Sequence, residues 1–178
     1  MSYTIRQVLS FLSILMLSWL LVGCGFHLRG RVDLAPPLKR LYIQSADPYS
    51  QLIRNLKQSL QLSGVDLSKT PQTASMVLDI LNETTKDQLL SVGGTQQTRQ
   101  YNLTLTVTFQ ITDPAGKIVV PSQSVFETQV ITITANQILG GSNEENNLYQ
   151  QMRHLIINDI LKRLASDDVK NAVTTPKQ

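Results

Sequence analysis

The chain has 178 residues, with 16 Lys and Arg against 13 Asp and Glu and a single Cys. A net charge of +3, with no basic run longer than Lys39-Arg40 or Lys162-Arg163, excludes the clustered cationic stripe that a nucleic-acid-binding surface needs. One cysteine excludes an internal disulfide framework, so packing must hold the fold.

Residues 1–7 are polar with one positive charge, Arg6, and residues 8–22 are apolar apart from serines. A membrane-spanning helix wants about 20 apolar residues, whereas the apolar core of a secretory signal runs to about 15 and follows positive charge. The run fits the signal. Leu21-Val22-Gly23-Cys24 resembles the bacterial lipobox, which implies a signal peptide over residues 1–23, cleavage before Cys24, a diacylglycerol on its sulfur and an acyl chain on the new amino terminus. Several acyl chains hold a protein stably to a bilayer, because each buried methylene contributes about 0.8 kcal/mol. Gly25 stands where an aspartate would retain a lipoprotein in the inner membrane, so the implied address is the outer membrane, on its periplasmic side.

Residues 24–37, broken by Gly25, Gly30, Pro36 and Pro37, read as an extended lipidated tether. Lys39 to Gln44 then alternates, with Leu41 and Ile43 on one face, as a first strand. Asp47 as N-cap before Pro48, followed by Leu52, Ile53, Leu56 and Leu60 and closed by Gly64, predicts a helix over 48–63. Ser75 to Leu90 begins as a strand, with Met76, Leu78 and Ile80 alternating, and is ambiguous beyond Asn82. Residues 99–112 alternate more cleanly, Tyr101, Leu103, Leu105, Val107, Phe109 and Ile111 against threonines and amides. The turn Asp113-Pro114-Ala115-Gly116-Lys117 leads into a second long strand, Ile118 to Thr134, with Val125, Val130, Ile131 and Ile133 among its apolar residues, to make a hairpin. Ser142 and Glu145 form a capping box ahead of Leu148, Met152, Leu155, Ile156, Ile160, Leu161 and Leu164, which predicts a helix over about 143–165. Residues 166–178 lack periodicity and read as a disordered tail.

The order strand-helix-strand-strand-strand-helix predicts an α+β domain over 38–165. In this two-layer sandwich, two helices pack on one face of a four-stranded mixed sheet. A right-handed crossover makes the first two strands parallel, and hairpins then make the third antiparallel and the fourth parallel to them. One end of the sheet should therefore gather the connections Ser45–Asp47, Val92–Thr98 with Gly93-Gly94, and Ala135–Ser142 with Gly140-Gly141. The tether should enter at the other end. A strand of about 46 Å would carry that glycine-rich tip away from the membrane.

Taken together, the run Cys24-Gly25-Phe26-His27-Leu28-Arg29-Gly30 after a lipobox, the stretch from Ile43 to Val65, the Tyr101 strand, and a last helix preceded by Glu144-Glu145 resemble the LptE family of lipopolysaccharide-assembly lipoproteins. The resemblance implies two helices on a four-stranded sheet, no enzymatic activity, and no cofactor beyond the covalent lipid on Cys24. It implies a plug within the lumen of the LptD outer-membrane β-barrel, assisting lipopolysaccharide insertion into the outer leaflet. The polar face of the long hairpin suits a polar lumen. Lipid A phosphates call for cations. In the loops where relatives carry basic residues this chain has Gly93, Gly94, Gly140 and Gly141, with only Arg99 and Lys86 near, and these six are the candidate lipopolysaccharide or barrel contacts.

Bland readings cover the remaining chemistry. His27 and His154 have no partner at metal-ligand spacing, so no metal site is expected. His154, Asp159 and Ser166 share one helix stretch without an exposed nucleophile turn, which argues against a hydrolase. The sequons at Asn82 and Asn102 are pattern only. A different class stays open: a periplasm-facing accessory lipoprotein of another envelope transport complex.

Overall fold

The computed structural model describes Gln7 and residues 33–94, 98–134 and 138–175, giving only the backbone for 138–142. The expected leader 1–23, Cys24 and the tether up to residue 32 lie outside the described residues, as do 95–97, 135–137 and 176–178.

A 3-10 turn at Pro36–Lys39 leads into β1 (Arg40–Ser45), α1 (Gln51–Leu62), β2 (Asp66–Leu67), β3 (Met76–Val92), β4 (Thr98–Thr112), β5 (Ile118–Thr134), α2 (Ile138–Leu164) and α3 (Asp167–Thr174). The sheet runs β2-β1-β3-β4-β5. β1 is parallel to β2 and β3, and β3, β4 and β5 are successively antiparallel. The expected directions therefore hold for the four strands read from the sequence. The core lies between one sheet face and the helices: Leu103, Leu105, Val107, Phe109 and Ile111 of β4 meet Leu52, Ile53, Leu56 and Leu60 of α1 and Met152, Ile156, Ile160 and Leu164 of α2, all nearly inaccessible. Each such side chain contributes about 1.5–3 kcal/mol of hydrophobic stabilisation.

The expectations of four strands and two helices need correction. After α1, Gly64 takes φ +85° and turns the chain back, so that Asp66 and Leu67 pair with Arg40 and Leu41; two residues are too short to show periodicity. The tail is not disordered throughout, because Ser166 caps α3 by accepting from the Val169 amide, and Val169 and Val173, one turn apart, are buried. α3 packs on the Pro36–Lys39 turn and on β5. Leu34, Ala35 and Leu38 are buried there too, so the packed domain begins before residue 38 and the last part of the expected tether 24–37 belongs to it. α1 begins after Ser50, whose hydroxyl accepts from the Ile53 amide at 3.2 Å, while Asp47 holds the preceding turn by accepting from the Tyr49 amide at 3.0 Å. α2 begins at Ile138, ahead of the expected capping box. Two glycines in its first turn cost about 1 kcal/mol each, which a helix packed along its remaining length absorbs.

β3 also explains the ambiguity beyond Asn82. A bulge between Ile80 and Asn82 inserts Leu81 and reverses the alternation. Leu78 and Ile80 face the helices before it; Glu83, Thr85, Asp87 and Leu89 do so after it, opposite Val107, Leu105, Leu103 and Tyr101.

Candidate functional site

β1 stops at Ser45, opposite Ile80, whereas β3 continues to Val92. The Ser45–Ser50 connection thus sits about a quarter of the way along β3 and not at the glycine tip, about 40 Å short of it at the usual rise per strand residue. Beyond that point, among the described residues, only β3, β4 and β5 go on, with α2 alone covering one face.

The helix side of this distal part is fixed by polar bonds. Arg153 Nε donates to Glu83 Oε1 at 2.8 Å, in an ion pair whose side chains are only about a fifth exposed. One turn earlier, the Tyr149 hydroxyl donates to Asp87 Oδ1. Burial first, and then the Asp87 carboxylate, push the Tyr149 phenol above its ordinary range, so it stays a donor at neutral pH. Glu145, one more turn toward the tip, is raised by its own partial burial and by the negative charge of Asp87. The bulge at Leu81 is what brings Glu83 and Asp87 round to meet this stripe of α2.

The opposite face of β3–β5 is uncovered among the described residues and nearly uncharged. Beyond the bulge its rows read Asn82–Thr108–Ser124, Thr84–Thr106–Phe126, Lys86–Thr104–Thr128, Gln88–Asn102–Val130 and Ser91–Gln100–Thr132, with Lys86 the one charge there; before the bulge Asp79 is on the same face and accepts from Gln110 at 3.0 Å. Thr108 and Ser124 hydroxyls bond at 2.9 Å, and Ser91 donates to Gln100, which donates to Thr132, across three strands. Phe126 and Val130 stand exposed on the same face, at 67% and 56%. The sequence expectation grouped Val130 with the other apolar residues of its strand; alternation turns it outward.

The candidate contacts are not gathered into one site. Lys86 lies on the open face opposite Thr104, while Arg99 lies on the helix side between Val92 and Ile133. Gly93 donates to the Thr98 carbonyl at 2.7 Å, and a Cβ there would meet the Thr98 Cβ at 3.4 Å; Gly94 has open space around it. Gly140 and Gly141 are not in a loop but in the first turn of α2. Cys24 lies outside the described residues. What the sequence reading missed is the Glu83–Asp87–Glu145–Tyr149–Arg153 cluster; the i, i+4 spacing of Glu145, Tyr149 and Arg153 was the available signal. Among the described residues no three side chains are grouped to hold a metal, and no helix is long and apolar enough to cross a membrane.

A sheet with one helix-covered face and one open polar face defines an α+β domain built to present a surface. The profile of the LptE lipopolysaccharide-assembly family matches residues 38–164. The chain belongs to that family. It is 30% identical over 155 residues to the LPS-assembly lipoprotein LptE of Pectobacterium atrosepticum, covering 84% of this chain and 83% of the relative. It is 29% identical over 157 residues to that of Yersinia enterocolitica, covering 84% and 73%. Among solved structures, rare lipoprotein B from Shewanella oneidensis superposes with a TM-score of 0.60 at 25% identity, over 72% of this chain and 96% of that one. An uncharacterized lipoprotein B from Nitrosomonas europaea shares the fold, with a TM-score of 0.67 at 19% identity over 83% and 95%.

Proposed function

We propose that the chain is an outer-membrane lipoprotein, acylated at Cys24, that plugs and supports assembly of the LptD β-barrel and assists lipopolysaccharide insertion into the outer leaflet. It does so without catalysis, as a lumenal wedge. The observation that carries the reading is the open face of β3–β5 beyond the bulge: hydroxyls and amides in rows with one charge and no covering layer among the described residues. A barrel lumen is lined by polar groups, against which such a face forms hydrogen bonds without burying unpaired charge. Arg99 near the tip and Lys86 on the open face are the cations available to lipid A phosphates.

Purification of the acylated protein from detergent-solubilised outer membranes tests the reading. It should bring down a large heat-modifiable barrel protein, and the double variant Thr106→Arg, Thr128→Arg, both side chains on the open face, should lose that partner while folding normally. Recovery of the wild-type protein alone from membranes that contain the barrel refutes it.

A further inference from the structure

From Asn82 to Val92 the side of β3 turned away from β4 has no strand partner among the described residues. Eleven residues at about 3.3 Å each leave some 36 Å of edge whose outward amides and carbonyls are unpaired by any strand. A bulge between Leu89 and Ser91 and the charge of Lys86 are the devices that blunt it. Leu89, Leu90 and Val92 are nevertheless about half exposed, at 50%, 50% and 47%. Where β1 stops, a hollow lined by Ser45, Asp47, Ser50, Leu81, Asn82 and Glu83 continues the line of the missing strand.

The charges beside this edge do not balance. Arg153 neutralises Glu83, and Lys86 lies on the opposite face. Tyr149 gives Asp87 a hydrogen bond but no charge, and Glu145 faces Asp87 as a second carboxylate, with exposed Glu144 next to it in the chain. Among the described residues, a bare backbone edge thus lies along an acidic pair with no ion-pair partner, with an apolar step at Leu89 beyond and Arg99 further toward the tip, opposite Val92.

We propose that the free edge of β3 from Asn82 to Val92 accepts an added strand from a protein partner, an extended segment presenting a lysine or arginine toward Asp87 and Glu145 and an apolar side chain toward Leu89. Main-chain hydrogen bonds supply the affinity and the alternate side chains supply the specificity. On the other face of the added strand, side chains meet Thr84, Lys86 and Gln88 and are polar and not basic. The assignment needs no barrel and stands apart from the plug reading.

Three synthetic nine-residue peptides test it against the full acylated chain in detergent: one alternating threonine with lysine and valine, one with glutamate for each lysine, and a fully N-methylated form of the first. Binding and amide hydrogen exchange are both read. The lysine peptide should bind about tenfold more tightly than the glutamate peptide and slow exchange within 82–92, and the N-methylated form should not bind. In the double variant Asp87→Asn, Glu145→Gln, where the side-chain carbonyl left at position 87 can still accept from Tyr149, the preference should fall below about threefold. Equal binding of the lysine and glutamate peptides, binding by the N-methylated form, protection of β5 in place of β3, or an unchanged preference in the double variant overturns the proposal. The two peptide comparisons on the wild-type chain decide it even if that variant folds poorly.

Discussion

Tyr149→Phe isolates what ties the distal half of β3 to α2. The Tyr149 side chain is 7% exposed and packs in the core, and phenylalanine keeps that packing; only the bond to Asp87 is lost. A hydrogen bond to a charged acceptor contributes about 1.5–3 kcal/mol when both groups are buried. Asp87 is exposed, and its carboxylate regains water, so the loss is discounted to about 1 kcal/mol. In a domain of this size that corresponds to a melting shift of about 2–4 °C. The effect should be local. β3 before the bulge is buried under α1, but beyond Asn82 no residue of β3 is buried. Amide hydrogen exchange should accelerate about fivefold within 83–92 while Leu78 and Ile80 exchange as before. Uniform acceleration across the sheet would refute the argument, because it would mean that the hydroxyl stabilises the core and not a distal attachment.

Glu145→Gln removes a carboxyl whose folded pKa is raised, so its ionised form is disfavoured by folding. The cost is present above the folded pKa and is relieved as pH falls through it toward the ordinary value of 4.5. The variant should therefore melt higher than the wild type at pH 7, with the gap closing in melting curves taken at about pH 4. Ser50→Ala should cost about 1 kcal/mol in chemical denaturation by removing the α1 cap, and Asp47→Ala should cost less because it holds only the preceding turn. Val173→Asp, placing a charge in the seam between α3, the Pro36–Lys39 turn and β5, should lower stability by at least about 2 kcal/mol by the same assay. Leu105→Ala, at the centre of β4, should cost about 2–5 kcal/mol.

The long elements were legible because their periods were unbroken. β4 alternates without interruption from Arg99 to Ile111, and its apolar residues from Leu103 onward are those buried; the Asp113–Lys117 turn closes as its residues require, with Gly116 at φ +88° and Asp113 Oδ1 accepting from Ala115 and Lys117 at 2.9 Å each. The α1 stripe of Leu52, Ile53, Leu56 and Leu60 is buried as its spacing requires. Misreadings came where a short tertiary fit outweighed local pattern. α3 holds only two buried apolar residues, a turn apart, with Ala172 partly buried beside them, too few to register as periodic, and β2 is defined entirely by its pairing to β1. The polar cluster was hidden because the bulge at Leu81 has no sequence signature: read with an unbroken period of two, Glu83 and Asp87 fall on the open face, away from Arg153 and Tyr149.

That one inserted residue divides the labour of the sheet. Had β3 kept its alternation, Lys86 would face α2 and both carboxylates would join the open face, placing two negative charges among its hydroxyl rows. Such a face would carry unpaired charge into any close-packed polar interface, at a desolvation cost that hydroxyls and amides avoid. With the bulge, the acids beyond it are drawn to the helix side, where Arg153 and Tyr149 satisfy two of them, and the open face from Asn82 onward retains a single lysine. The nearly uncharged face on which the plug reading rests and the acidic flank of the free edge are therefore consequences of the same backbone irregularity. Deleting Leu81 should leave the division intact, because Asn82 then follows Ile80 opposite Thr108 in regular alternation and Glu83 still meets Arg153. Deleting Leu81 and Asn82 together shifts the rest of β3 by one residue and should exchange the two faces, abolishing the Glu83–Arg153 ion pair together with partner binding at the open face; retention of both in that second variant would show that the register at the bulge does not set the division.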